Sequence, residues 1–158
     1  MADQTMHEVV IVGGGFAGVA AAVHLARAGI GVLLIDKNNY HQFQPLLYQV
    51  ATAQLSMSDV ARPLRAIFRR HKQVQVKTAE VTSIDARNRS VTTAHGTTYR
   101  GQILVLAAGA EANFFDTPGA KEHTFPLYSV NDAARLASRM LGALDSTDSL
   151  PTELARAA

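Results

Sequence analysis

Three glycines with the spacing Gly13-x-Gly15-x-x-Gly18 stand between a short β-branched run and an alanine-rich stretch. Glu8–Val12 reads as a strand buried on both faces of a parallel sheet. Phe16–Ala28 reads as a helix, with Val19, Val23 and Leu25 set among small residues and Gly29 as its C-terminal stop. Val32–Ile35 is a second buried strand, ended by Asp36. Together these make a complete βαβ unit, and each glycine has a steric task in it. Gly13 permits the tight turn out of the strand, Gly15 lets a diphosphate approach the backbone, and Gly18 lets the helix pack close to the sheet. The helix N-terminus at Gly15, Phe16 and Ala17 presents N–H groups and a positive dipole end to the phosphates. Asp36 is placed to accept hydrogen bonds from ribose hydroxyls, and it would repel a 2′-phosphate. The unit is therefore expected to hold the diphosphate and ribose of an adenine dinucleotide without a 2′-phosphate. The fingerprint alone does not separate FAD from NAD.

Further along, Asn38–Met57 is irregular and rich in Gln, Tyr, Phe and Leu. Ser58-Asp59 is read as the cap of a helix running to about Arg70, with Pro63 in or near its first turn. Val74–Lys77 is a third strand. Val81–Asp85, Ser90–Ala94 and Thr97–Tyr99 alternate between turn residues and predict a small antiparallel ribbon. Ile103–Ala107 is another buried strand, ending in Ala108-Gly109-Ala110. Glu111–Pro126 reads as loop, and Ser129-x-x-Asp132 opens a helix to about Leu144. The expected fold is α/β and Rossmann-like: a mostly parallel sheet with helices on both faces and a small antiparallel ribbon. A ribbon in that place is unlike a simple NAD domain, where helices and parallel strands continue, and it tilts the reading toward FAD. The expected organisation is a dinucleotide-binding domain over 7–110, a loop and helix over 111–144, and a linker or frayed tail over 145–158.

Composition narrows the function classes. Of 158 residues 47% are apolar, enough to bury a core. The absence of cysteine excludes disulfides, thiolate metal sites and dithiol redox chemistry. No metal site is expected. Met1–Glu8 is polar and carries Asp3 and Glu8, so no targeting signal is expected there. No run reaches the ~18–20 apolar residues that span a bilayer, and the chain is expected to be cytoplasmic. The basic residues are scattered except for Arg69-Arg70-His71-Lys72, read as a solvated helix end and not as a nucleic-acid surface. No direct binding to a membrane is expected of this chain either. His24 and His71 are expected to be structural or exposed, and His41 has no partner visible in the sequence. No catalytic acid, base or nucleophile is assigned.

Two segments carry a family resemblance: Val10-Ile-Val-Gly-Gly-Gly-Phe-Ala-Gly18, and Asp36-Lys-Asn-Asn-Tyr-His-Gln-Phe-Gln-Pro-Leu-Leu-Tyr-Gln-Val-Ala-Thr52. Together they strongly resemble type II NADH dehydrogenases, single-subunit FAD enzymes of the two-dinucleotide-fold flavoprotein superfamily that pass electrons from NADH to a membrane quinone. Sulfide:quinone reductases are cousins, but their chemistry uses cysteines that this chain lacks. The resemblance runs from about Glu8 to Leu144 and implies FAD as cofactor, with NADH and a quinone as substrates. It implies that Gly13, Gly15, Phe16, Ala17 and Gly18 hold the FAD diphosphate and that Asp36, with Lys37 beside it, meets the ribose. Phe43–Leu47, including Gln44, Pro45 and Leu46, would lie beside the isoalloxazine ring, and the Val81 backbone would meet the adenine. Leu104–Ala110 resembles a second FAD signature usually ending Ala-Thr-Gly. Here it reads Ala107-Ala108-Gly109, so a threonine hydroxyl is missing while the glycine turn survives. Family members continue with a second glycine-rich fold for NADH, a returning segment that completes the FAD site, and a docking region at the inner face of the membrane. No second GxGxxG occurs in this chain. The expectation is the FAD-binding portion of an NADH:quinone-type oxidoreductase, inactive by itself, a truncation or half of a split enzyme whose partner chain supplies the rest. The alternatives are a non-catalytic FAD- or nucleotide-binding module and a small NAD-binding sensor.

Overall fold

The chain folds around β1 (Met6–Val12), whose residues alternate between two buried clusters. The computed structural model describes residues 6–148. Two units are distinguished: residues up to His41 together with Arg62–Ala110, and Gln42–Ala61 together with the described residues from Glu111 onward.

In the first unit a six-stranded sheet has the order β5-β2-β1-β8-β7-β6. Its strands are β1, β2 (Val32–Asp36), β5 (Val74–Thr78), β6 (Val81–Asp85), β7 (Ser90–Thr93) and β8 (Thr98–Leu106). β5, β2, β1 and β8 run parallel, with Val10 opposite Leu33 and Leu104, whereas β7 is antiparallel to both β8 and β6. Val9 and Ile11 face one side of β1, packing with Val32, Leu34 and Ala22 of helix α1 (Phe16–Arg27). Leu64, at the start of α4 (Leu64–Ile67), and Phe68 just beyond it close the same cluster. Val10 and Val12 face the other side with Leu33, Ile35 and Val91. Full burial of each such side chain stabilises the fold by ~1.5–3 kcal/mol before entropy is counted.

Three expectations change here. Helices were expected on both faces, but the cluster on the second face is made by β6–β8 and the β5–β6 turn, through Ala79, Val81, Val91 and Tyr99, with no helical residue in it. The ribbon's last strand and the following parallel strand are one element, β8, whose Thr98–Arg100 pairs with β7 while Arg100–Leu106 pairs with β1. Gly101, between the two stretches read as separate strands, sits inside β8, where a Cβ would lie 2.6 Å from the Ile103 carbonyl oxygen, so only glycine fits. Nor is the second half of β8 fully buried: Ile103 and Leu106 are 57% and 55% exposed, because β7 flanks only the first half.

The helix expected over 58–70 is broken. It consists of α3 (Met57–Val60), the strand β4 (Ala61–Pro63) and α4. The residue before a proline is driven away from helical dihedrals, and Pro63 itself lacks an N–H. Pro63 sits at ψ 126°, and the Leu64 N–H donates to the Asn39 carbonyl. The cap of α3 is Ser56, not Ser58: the Ser56 N–H donates to the Asp59 carboxylate at 2.9 Å. That bond and the Ser56 hydroxyl lower the Asp59 pKa, the hydroxyl more strongly. The cluster Arg69–Lys72 lies past the end of α4 and not on its last turn.

The second unit buries Leu47, Val50 and Ala51 of α2 (Leu47–Ala51), Val60, and Val130 and Ala133 of α6 (Val130–Asp148). Ser129 caps α6, accepting from the Asp132 N–H at 3.1 Å while its own N–H donates to the Asp132 carboxylate at 3.0 Å. The Gln42 side-chain amide donates to the Tyr128 carbonyl and accepts from the Val130 N–H, tying the two chain segments of this unit together. The stretch read as irregular thus contains β3 (Tyr40–Gln42), a 3₁₀ turn (Gln44–Leu46) and α2, and the loop 111–126 contains α5 (Ala120–His123). β3 and β4 form a separate two-stranded sheet. α6 runs past Leu144 to Asp148, and the rest of the expected tail lies outside the described residues.

Candidate functional site

At the carboxyl end of β1 the chain turns at Gly13, where φ is 107°, a region that side chains rarely enter. A Cβ there would lie 2.1 Å from the carbonyl oxygen of Ala107, at the end of the adjacent parallel strand. At Gly18 a Cβ would fall 1.8 Å from the Gly13 carbonyl oxygen, so the first turn of α1 lies directly on the turn that precedes it. Gly15 differs from both: its φ of −75° suits any residue, and nothing lies within 4 Å of its Cβ position. The protein's own packing therefore does not require glycine at 15; open space lies above it. Gly15 is also the N-cap of α1, with no side-chain cap and no acid in the first turn. Phe16 and Ala17 follow, both exposed.

Both polar atoms of the Gly14 peptide unit are held by side chains. Its N–H donates to one Asp36 carboxylate oxygen at 2.5 Å, and its carbonyl accepts from His41 Nδ1 at 2.9 Å. The second Asp36 oxygen accepts from the Asn38 N–H at 2.6 Å. Each carboxylate oxygen keeps a further acceptor site, so Asp36 can brace the turn and still receive a hydroxyl. His41 has a partner after all, and its ring stands edge-on to Phe16 with centroids 5.1 Å apart. Sequence reasoning missed this role because the separation of 27 positions between Gly14 and His41 is closed only by the fold.

The other expected residues are distributed as follows. Lys37 is exposed beside Asp36. Val81 opens β6 next to a register shift in its pairing with β7, and such bulges free backbone groups beside sites. Ala108 and Gly109 are exposed after the end of β8, with Gly109 at φ 76°. Thus Gly13–Gly18, Asp36 and Ala107–Gly109 gather at the carboxyl ends of β1, β2 and β8, the usual ligand crevice of an open α/β sheet. Gln44, Pro45 and Leu46 belong to the second unit, in the 3₁₀ turn after the exposed Phe43.

The glycine turn, the acid that ends β2 and the β8 turn have the arrangement of a dinucleotide-binding α/β fold. The family model described as pyridine nucleotide-disulphide oxidoreductase matches residues 7–147, and the chain belongs to that family. Its curated relatives include the type II NADH:quinone oxidoreductase NdhA of Mycobacterium tuberculosis, 40% identical over 145 residues, a match covering 90% of this chain and 31% of the relative. The fold is shared with NDH2 of Plasmodium falciparum (TM-score 0.80, 20% identity, 94% of this chain and 31% of that one). It is shared equally with the sulfide:quinone oxidoreductase of Aquifex aeolicus (TM-score 0.80, 23% identity, 88% of this chain and 32% of that one). The chain therefore spans about a third of the length of these proteins. No helix among the described residues is long and apolar enough to cross a membrane.

Proposed function

We propose that this chain is the FAD-binding portion of an oxidoreductase that carries electrons from NADH to a quinone. The observation that carries the reading is Gly15: a residue that packing leaves unconstrained, at an uncapped helix N-terminus, with open space where a diphosphate would sit. Gly13 and Gly18 give the turn its shape, the Gly15–Gly18 N-terminus of α1 faces the phosphates, and Asp36 receives the ribose. Val81 serves the adenine through its backbone, and Ala108-Gly109 lines the neighbouring strand end. When bound, FAD would supply the redox chemistry, while the protein contributes position and a fixed field.

Hydride transfer needs the nicotinamide held against the flavin with reacting atoms ~3–3.5 Å apart. The chain has one glycine turn with its acid, so a second dinucleotide site must come from further sequence, on the same chain or on a partner. NADH oxidation by the 158 residues alone is expected to stay at the free-FAD background. Calorimetric titration with FAD and with NAD tests the cofactor assignment. FAD is expected to bind more tightly, and tighter binding of NAD would favour the sensor reading instead.

A further inference from the structure

We propose that a basic concavity at the end of α4 binds the phosphate-dense end of a soluble ligand carrying two or more adjacent phosphates. The concavity has a volume of about 370 Å³ and is lined by Arg62, Ala66, Ile67, Arg69, Arg70 and His71. That volume falls in the ~300–1,000 Å³ range of small-molecule sites. It lies wholly within the first unit, apart from the residues of the glycine turn.

Charge is concentrated here against the trend of the chain. Residues 62–72 hold Arg62, Arg65, Arg69, Arg70 and Lys72 and no acid, although the whole chain has 15 basic residues to 13 acids. Without this segment the acids would be in excess. Among the described residues no carboxylate pairs with Arg62, Arg69 or Arg70. Three guanidinium groups around one hollow, with no counter-ion among the described residues, repel one another and gain from a multiply charged anion. Guanidinium also suits phosphate geometrically, since its planar fork gives paired charge-assisted hydrogen bonds.

The hollow is held in shape from beneath. Leu64 and Phe68 are 0% and 4% exposed and anchor the segment in the core. The His71 ring stands against Phe68 at a centroid distance of 6.5 Å, and the His71 N–H donates to the Phe68 carbonyl at 2.8 Å. This burial also selects the occupant. Single-stranded nucleic acid needs exposed aromatic rings for stacking, and the one aromatic ring besides His71 here is buried. A membrane surface needs exposed apolar side chains to insert, and here Leu64 and Phe68 are buried while Ile67 packs partly against the core.

The test uses the 158-residue chain and inorganic tripolyphosphate as probe, by calorimetry at physiological salt. In Gly15→Val, where the glycine turn cannot take the probe, one saturable site is expected. Arg69→Gln with Arg70→Gln, and separately Arg62→Gln, should weaken it by about tenfold or more, with melting temperature and FAD affinity unchanged. Lys77→Gln, which removes an exposed charge elsewhere on this unit, should leave it unchanged. Absence of a saturable site, or equal weakening by Lys77→Gln, would overturn the proposal. So would loss of tripolyphosphate binding in Gly15→Val, which would place the probe at the glycine turn. Co-sedimentation with phosphatidylglycerol vesicles that the arginine variants abolish would also overturn it, by assigning the phosphates to a lipid.

Discussion

Two glycine turns lie side by side at the strand ends, and they are built on opposite terms. At Gly13–Gly18, two of the three fingerprint glycines are demanded by the protein itself: added side chains would run into backbone oxygens at 2.1 and 1.8 Å. At Ala107–Gly109 the glycine meets nothing within 4 Å and is required only by its dihedral. The first turn is locked by packing and by side chains clamping Gly14; the second is tied to β1 by the Ala107 N–H, which donates to the Val12 carbonyl at 2.8 Å, and is exposed at Ala108 and Gly109. A turn preformed by packing thus stands beside an open edge, and in the proposed function preorganisation is concentrated where a charged diphosphate would have to be desolvated.

Substitutions can sharpen that contrast. The largest effect is expected at Gly18→Ala, where the new Cβ forces the helix off the turn. A destabilisation of about 3 kcal/mol or more in urea unfolding is expected, and a near-neutral result would mean that the turn is looser than described. Asp36→Ala removes the proposed ribose acceptor and orphans the Gly14 and Asn38 N–H groups; FAD affinity should fall by ~1–3 kcal/mol in calorimetry. His41→Ala frees only the Gly14 carbonyl, and a loss of about 1 kcal/mol in FAD affinity is expected, with His41→Asn retaining part of it through its own donor. Gly109→Ala should be the mildest, costing about 1 kcal/mol of stability for the positive φ and nothing in sterics. If it proves as damaging as Gly18→Ala, the two turns are not built differently.

What could be read in the sequence was local. The β1–turn–α1–β2 unit is contiguous, so its apolar periods and glycine spacing suffice to place it. The capping pair Ser129 and Asp132 was legible for the same reason. The fusion of β8 was not, because Gly101 punctuates a strand locally and only the approach of its own backbone and β1 explains it. The break at Pro63 had a readable signal in the restriction on Arg62, which was set against the favourable reading of proline in a first helical turn. The grouping of Gln42–Ala61 with the chain beyond Glu111 depends on contacts such as Gln42 with Val130, 88 residues apart, which no local pattern encodes. Within the site, Gly13, Gly15, Gly18 and Asp36 were visible as a spaced motif, and His41 as a partner of Gly14 was not.

Gly15→Val tests the central claim most directly, because it separates the needs of the fold from those of the ligand. Its Cβ enters open space at an ordinary φ, so stability in urea unfolding should fall by no more than about 1 kcal/mol, the cost of valine in place of glycine at an N-cap, while calorimetry with FAD should show no binding at concentrations that saturate the parent. A variant that is folded and binds FAD as the parent does would contradict the account, since the glycine would then serve neither the fold nor a diphosphate.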